Sequence, residues 1–460
     1  MARRLRTRNT QLEAVLREAD WSQEKLATHF RIVAAEIGAL ECRTVTRSHV
    51  SQWIAGSRPK DPAPRILCET LSRRLRRIVT PDEIGLLTDK AEQTAPAWEA
   101  DTLTALARLG DGDMDMNRRQ ALYSMAGAAL PSDTWWAEKL DRAQQRPALS
   151  KRLVTADDVE SVREMMTFFS RRDQRYGGRA GRPTLVTYLR TDVADLLLRR
   201  LPTEDVRRSL FAAASELVYL AGWMAFDASQ HATAQPNFSL ALTLAAEAGD
   251  APLAGHILRA MAHQALDLGH GDLALSYASA SLSDRRYGQA SPREKALLGV
   301  IHARSLATTG QKADALTALM RAENDLRRAE PGDDEPGRVW FFTEAALAHE
   351  TARTLTVLGD LKAAEAEFQR SVRTRKAQPF ARTHSVTLGY LGDVQIRQGQ
   401  VDAACASWTD ALDAMQGVQS GRARDTVIQM RRALSPVIHR GGRTAAELDQ
   451  HARAVLSRVG

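Results

Sequence analysis

Cysteine is scarce in this 460-residue chain, which holds three, Cys42, Cys68 and Cys405. They have no metal-ligand spacing and are too few for a disulfide framework, so a reduced, cytoplasmic setting is expected. Long apolar runs are missing as well. No stretch approaches the roughly 18 uninterrupted apolar residues of a spanning helix, and no membrane partner is expected. The opening MARRLRTRNTQLE is basic but lacks the apolar region of a signal peptide. Alternating strand patterns are absent. So is any Ser/His/Asp or Cys/His set with local support, and neither enzyme activity, a cofactor nor a bound metal is expected. Lysine is rare, 9 against 54 arginines. That skew suits a GC-rich genome, so arginine counts alone carry little functional weight.

What is present is helical signal and unevenly placed charge. The net charge is +7. Residues 1–88 hold 16 Lys+Arg against 10 Asp+Glu, and the remainder 47 against 46. A basic module on a near-neutral body is what a nucleic-acid-binding domain joined to something else looks like. Long Ala/Leu/Arg/Glu-rich stretches with apolar residues at i, i+3, i+4 and i+7 predict an all-α fold. The spacing of polar breaks predicts four parts: a domain over 1–88, linker and docking helices over 89–150, repeats over 151–435, and a capping helix over 436–460.

The repeat is legible on segments starting at Ser215, Gly255, Ala296, Ala345 and Ser385. Position eight is Gly222, Ala262, Ala303, Ala352 and Gly392. Position twenty is alanine throughout, and position twenty-seven is always small. Position twenty-four is Phe238, Ala278, Leu319, Phe368 and Trp408. Small residues let two antiparallel helices approach, and a bulky one is expected to fill the gap to the next pair. Gly269, Gly310, Gly359 and Gly399 mark a turn at position fifteen. The pattern resembles the tetratricopeptide repeat, which implies a superhelix of stacked hairpins. Its starts are spaced 40, 41, 49 and 40 residues apart, rather than the usual period of about 34. Residues 151–214 are expected to add one or two degenerate repeats.

The stretch TVTRSHVSQWIAGSRPK, residues 44–60, predicts a short helix capped by Thr46 and stopped by Gly56 and Pro59. Its inner face holds Val50, Trp53 and Ile54, and its outer face Arg47, Ser48, Ser51 and Gln52. Before it come NTQLEAVLREA and WSQEKLATHF, each with a regular apolar face, and after it RILCETLSRRLRRI. The SQEKLA of the second helix and the VTRSHVSQWIAG of the third resemble helix-turn-helix domains of the phage-repressor (XRE/Cro) type. RIVAAEIGALECRT departs from that family by lengthening the passage between the two helices, and is expected to extend helix two and then form a loop.

The resemblance implies double-stranded DNA as partner. Arg47, Ser48 and Gln52 match base-reading positions, since Arg suits guanine O6/N7 and Gln suits adenine N6/N7. Gln23, His49 and Ser51 match phosphate-contacting positions, with Arg58 and Lys60 placed to assist. The arginines of MARRLRTR are read as either a DNA-contacting arm or a free tail. Nearly the whole chain resembles long regulators of filamentous GC-rich bacteria, most specifically in residues 1–88 and at the repeat positions. That implies a transcriptional regulator, a homodimer on palindromic sites, and a concave repeat surface that senses a short signalling peptide or small ligand. The alternative is a repeat scaffold or adaptor whose N-terminal domain does not read DNA.

Three other motifs carry less. His256, His263 and His270 recur every seven residues with Asp267 between the last two; inter-helix packing explains this better than metal binding. YGGRAGRP, residues 176–183, lacks a Walker lysine–hydroxyl pair and is read as a mobile connection. MNRRQALYSMAGAALP, residues 116–131, imitates an export signal but lies deep in the chain, and is read as a buried or docking helix.

Overall fold

The computed structural model describes residues 7–36, 39–75, 79–86, 101–109, 130, 133–148, 150–330, 335–437 and 442–459. The start of the basic arm, much of the linker and nearly all of the export-signal lookalike lie outside the described residues. Among those described the fold is all-α, with a single isolated bridge between Leu153 and Arg200 and no strand.

The N-terminal domain holds α1 (Thr10–Glu18), α2 (Gln23–Glu36), α3 (Arg47–Ile54) and α4 (Ala63–Leu75). Asn9 caps α1 by accepting from the Leu12 N–H, and its own side-chain N–H donates to the Ile84 carbonyl. Leu12, Leu16, Leu26, Phe30, Ile66 and Leu71 form the core, as their spacing predicts. The passage between α2 and α3 extends α2 to Glu36 and then forms a 3-10 turn at Leu40–Thr44. It also contributes to the core, since Val33, Ala34, Ala39, Cys42 and Val45 are buried.

Past the linker, α5 (Asp133–Gln145) and α6 (Ala156–Tyr176) lead into the repeats. Five antiparallel hairpins follow: α7 (Glu204–Asp227) with α8 (His231–Ala248), α9 (Ala251–Asp267) with α10 (Gly271–Ser281), α11 (Pro292–Thr308) with α12 (Lys312–Arg327), α13 (Glu344–Leu358) with α14 (Leu361–Thr374), and α15 (Ala381–Arg397) with α16 (Val401–Ala414). By length and composition α7 could cross a membrane, but 78% of its apolar window is buried among its neighbours. The last pair, α17 (Gly421–Leu434) and α18 (Gly442–Val459), also packs as a hairpin. The terminal helix therefore completes a sixth pair rather than standing alone as a cap. Residues 151–203 form α6 and several short helical pieces, including a π turn at Leu189–Val193, where one or two degenerate repeats are expected over 151–214.

The repeat positions act largely as expected. Every residue at positions twenty and twenty-seven is fully buried. The four turn glycines have φ between +81° and +86°, where a side chain is disfavoured. In the first repeat Ser229 takes the same position with φ +60°. Position twenty-four has a second contact besides the expected one. A Cβ on Gly222 would meet Phe238 at 2.9 Å, and one on Gly392 would meet Trp408 Nε1 at 2.3 Å. These bulky residues fill the space above the small residue at position eight of their own hairpin, and Phe368 also reaches the next pair, its ring 6.2 Å from that of Tyr390.

Candidate functional sites: an exposed helix and an arginine-lined cavity

Helix α3 is held by one face. Val50, Trp53 and Ile54 are buried, and Trp53 packs on Phe30 of α2 with ring centroids 5.5 Å apart. Each such side chain contributes about 1.5–3 kcal/mol of burial, so the helix has little freedom to rotate. Its C-terminus closes with Gly56 at φ +98°, the Gly56 N–H donating to Trp53 O and the Ser57 N–H to Gln52 O. A Cβ at Gly56 would lie 2.1 Å from the Thr7 carbonyl oxygen.

The other face is open. Arg47, Ser48, His49, Ser51 and Gln52 are exposed, as are Arg58 and Lys60 beyond the helix; Gln23 is half-buried. Among the described residues no hydrogen bond or ion pair engages the side chains of Arg47, Ser48, Ser51, Gln52, Arg58 or Lys60. His49 also helps to cap its own helix, since its Nδ1 accepts from the Thr46 backbone N–H at 3.2 Å. That leaves the Nε2–H of the neutral ring as a donor. Of the arm arginines, Arg8 pairs with Glu13 at 2.6 Å.

The N-terminal domain is fastened to the repeats through α4. Glu69 accepts from Arg73 at 2.8 Å and lies 2.8 Å from Nε2 of His270, at the α9–α10 turn, with both Glu69 and His270 buried. Burial alone would raise the Glu69 carboxyl. The His270 hydrogen bond and the Arg73 charge outweigh it and hold the group below its usual range. Other linker pieces dock on α8 through Glu247, which accepts from Thr102 at 2.5 Å and from Arg146 at 3.0 Å.

The three heptad-spaced histidines thus have three separate partners. His270 meets Glu69. His256 lies 3.4 Å from Glu294 and 3.3 Å from Arg259, and His263 lies 3.3 Å from Arg422 and 3.8 Å from Asp267. Among the described residues no three His, Cys, Asp or Glu side chains gather as a metal site. Burial raises all three thiols, Cys68 to about 12, which disfavours the thiolate form.

The superhelix closes on itself. Buried Asp227, at the end of α7, accepts from Arg382 Nη1 at 2.8 Å, Ser420 Oγ at 3.0 Å and the Gly178 N–H at 2.8 Å. Arg382 also donates to Asp173 at 3.0 Å, and Gln419 N–H to the Tyr176 carbonyl at 2.6 Å. YGGRAGRP is part of this closure rather than a loose connection: a Cβ on Gly178 would lie 2.2 Å from the Met224 carbonyl oxygen. Behind the closure lies a cavity of about 80 Å³, walled by Arg259, Arg375, Arg382 and Arg422 and by aromatic side chains such as Trp223 and Phe380. Sequence reading missed it, because Arg259, the Arg375–Arg382 pair and Arg422 are far apart in the chain and are masked by an arginine-rich composition.

Residues 12–87 match the SP15 N-terminal domain. The match is not by the phage-repressor description, which stays a resemblance carried by the residues quoted above. Among solved structures, a Rap protein complexed with competence and sporulation factor is similar at 14% identity, over 79% of this chain and 95% of its own, with a TM-score of 0.38. A signal transduction ATPase with numerous domains (STAND) that carries a tetratricopeptide repeat sensor, from Pyrococcus horikoshii, is similar at 10% identity. There 86% of this chain covers 60% of the other, with a TM-score of 0.40. No curated protein sequence matches the chain.

Proposed function

We propose that this chain is a regulator in two parts: the hairpin superhelix receives a signal, and the N-terminal domain delivers the output by reading duplex DNA. The supporting observation is the two-sided build of α3. Its apolar face is locked to α2, while Arg47, Ser48 and Gln52 are exposed with no side-chain partner among the described residues. In this reading those three contact base edges in the major groove. Gln23, His49, Ser51, Arg58 and Lys60 contact phosphates and set the register. Two copies on a palindromic site are the expected arrangement. The protein acts in the cytoplasm by binding, not by catalysis.

Selection of bound sequences from a random duplex pool, followed by a salt titration, tests this. A DNA reader yields a sequence preference that persists while affinity falls steeply with salt. A second reading is an adaptor in which the N-terminal domain serves only the repeats. The buried Glu69–His270 contact favours it, since it ties α4 down as a structural cap would. Absence of preference for any duplex at physiological salt selects the adaptor.

A further inference from the structure

Two buried arginines facing the cavity have no acid to meet. Arg259 is 2% exposed; it donates to Tyr219 at 2.7 Å, and its guanidinium carbon lies 5.3 Å from the Trp223 ring centre. Arg375 is 8% exposed and donates to the Ala345 carbonyl and to Ser371. Among the described residues no carboxylate lies within 4.0 Å of either, and the Nε of each has no hydrogen-bond partner. Burial lowers the Arg375 guanidinium to about 10. Burial and the Arg382 charge thus outweigh the attraction of Glu350, so its charge is only partly compensated within the fold.

Their neighbours are also short of negative charge. Asp267 is shared by Arg422 at 3.6 Å, Arg304 at 3.7 Å and Arg353 at 4.0 Å, all beyond hydrogen-bonding reach. Arg304 reaches Glu350 at 3.1 Å. Arg382 is well matched by Asp173 and Asp227. Six guanidiniums (Arg259, Arg304, Arg353, Arg375, Arg382, Arg422) thus face four carboxylates (Asp173, Asp227, Asp267, Glu350), an excess of two positive charges. Beside this cationic wall Trp223, Phe341 and Phe380 are half-buried, with apolar surface turned to the same space.

We infer that this cavity is the receptor site for a small aromatic acid, whose carboxylate or phosphate sits between Arg259 and Arg375 while its ring lies against Trp223 and Phe380. An oxyanion supplies the charge that the protein withholds, and a fork of guanidinium N–H groups suits its planar or tetrahedral oxygens. The cavity has room for several waters, which is also the space an acidic head group needs. The inference rests on the sensor half of the reading above and is independent of DNA contact.

The test is calorimetric titration of the full-length protein, without DNA, using phenyl phosphate, benzoate, benzyl alcohol and inorganic phosphate. Phenyl phosphate or benzoate is expected to bind at least about ten-fold more tightly than benzyl alcohol and inorganic phosphate. Arg259→Gln and Arg375→Gln each weaken it by about ten-fold or more, while Arg397→Gln on the exposed face of α15 leaves it unchanged. Arg375→Lys, which keeps the charge, retains more binding than Arg375→Gln and covers the case in which the glutamine variant misfolds. Equal binding of benzyl alcohol, equal binding of inorganic phosphate, indifference to both glutamine substitutions, or no saturable binding of either acid at about 10 mM overturns the proposal. A chain that takes up phenyl phosphate but prefers no duplex keeps this site and loses only the DNA reading.

Discussion

Arg382 donates to Asp227 at 2.8 Å across 155 residues of chain, joining the first regular hairpin to the fifth deep inside the fold. Removing the acid takes one of two carboxylates from a buried guanidinium, orphans the Gly178 N–H and leaves the Ser420 hydroxyl only a long bond to the Asp227 carbonyl. Asp227→Ala is expected to cost about 3–5 kcal/mol, read as a lowered midpoint in urea denaturation. A loss below about 1 kcal/mol would show that the closing contact is not energetically important.

Gly392 and Trp408 form a matched pair of small and large. Gly392→Ala displaces the indole and with it the Nε1–H bond to the Gly389 carbonyl at 3.0 Å. The expected loss is about 1–3 kcal/mol. Combined with Trp408→Phe, the loss should fall short of the sum of the two single changes, a coupling that a double-mutant cycle measures.

Acid should weaken the repeat domain early. Burial first, and then nearby guanidiniums, lower the histidine rings: His256 to about 4, and His263 and His349 well below their ordinary 6.5. The unfolded chain then binds more protons than the folded one below pH 6.5, so stability is intact above that value and is lost as pH falls toward 4. Each ring adds a slope of about 1.4 kcal/mol per pH unit within the window. Glu294 extends the trend. Burial would raise it, but Arg338 and His256 outweigh burial and hold it at about 2, so its share is lost as pH drops from 4.5 toward 2. Thermal melts between pH 8 and pH 4 should show a falling midpoint, and a flat profile would contradict neutral buried rings.

On α3, Arg47→Ala and Gln52→Ala should each relax one position of the selected DNA sequence and lower specific affinity by about 1–3 kcal/mol. Lys60→Ala should weaken all sequences alike and reduce the salt slope by about one. An unchanged sequence logo for Arg47→Ala would remove that residue from base reading.

Glu69→Ala should loosen the N-terminal domain without unfolding the hairpins, by removing a buried hydrogen-bonded acid. Hydrogen exchange across α4 should accelerate while exchange in α11 and α13 stays slow. Equal acceleration everywhere would mean that the two parts unfold as one.

The sequence made the local devices readable. The Thr46 cap, the Gly56 stop, the inward Trp53 and the turn glycines each act through their immediate neighbours, and residue type alone announces them. Ser229 escaped because serine rarely takes a positive φ; here its hydroxyl is bonded to Asp425 at 2.7 Å, a partner 196 residues away. The cavity escaped for a related reason. Arg259, Arg382 and Arg422 lie on separate helices and Arg375 just past the end of α14, and only the closure of the superhelix brings them to one space. Position twenty-four was only half legible, because periodicity identifies a packed face but not every helix it packs against.

That closure changes how the array should unfold. An open solenoid exchanges contacts between neighbours alone, so its stability grows by increments and its ends fray first. Here the last hairpins hold the first ones, as Gln419, Ser420 and Asp425 bond to Tyr176, Asp227 and Ser229. Removing α17 and α18 would therefore strip partners from α7, some two hundred residues upstream, and the array should melt as one cooperative body.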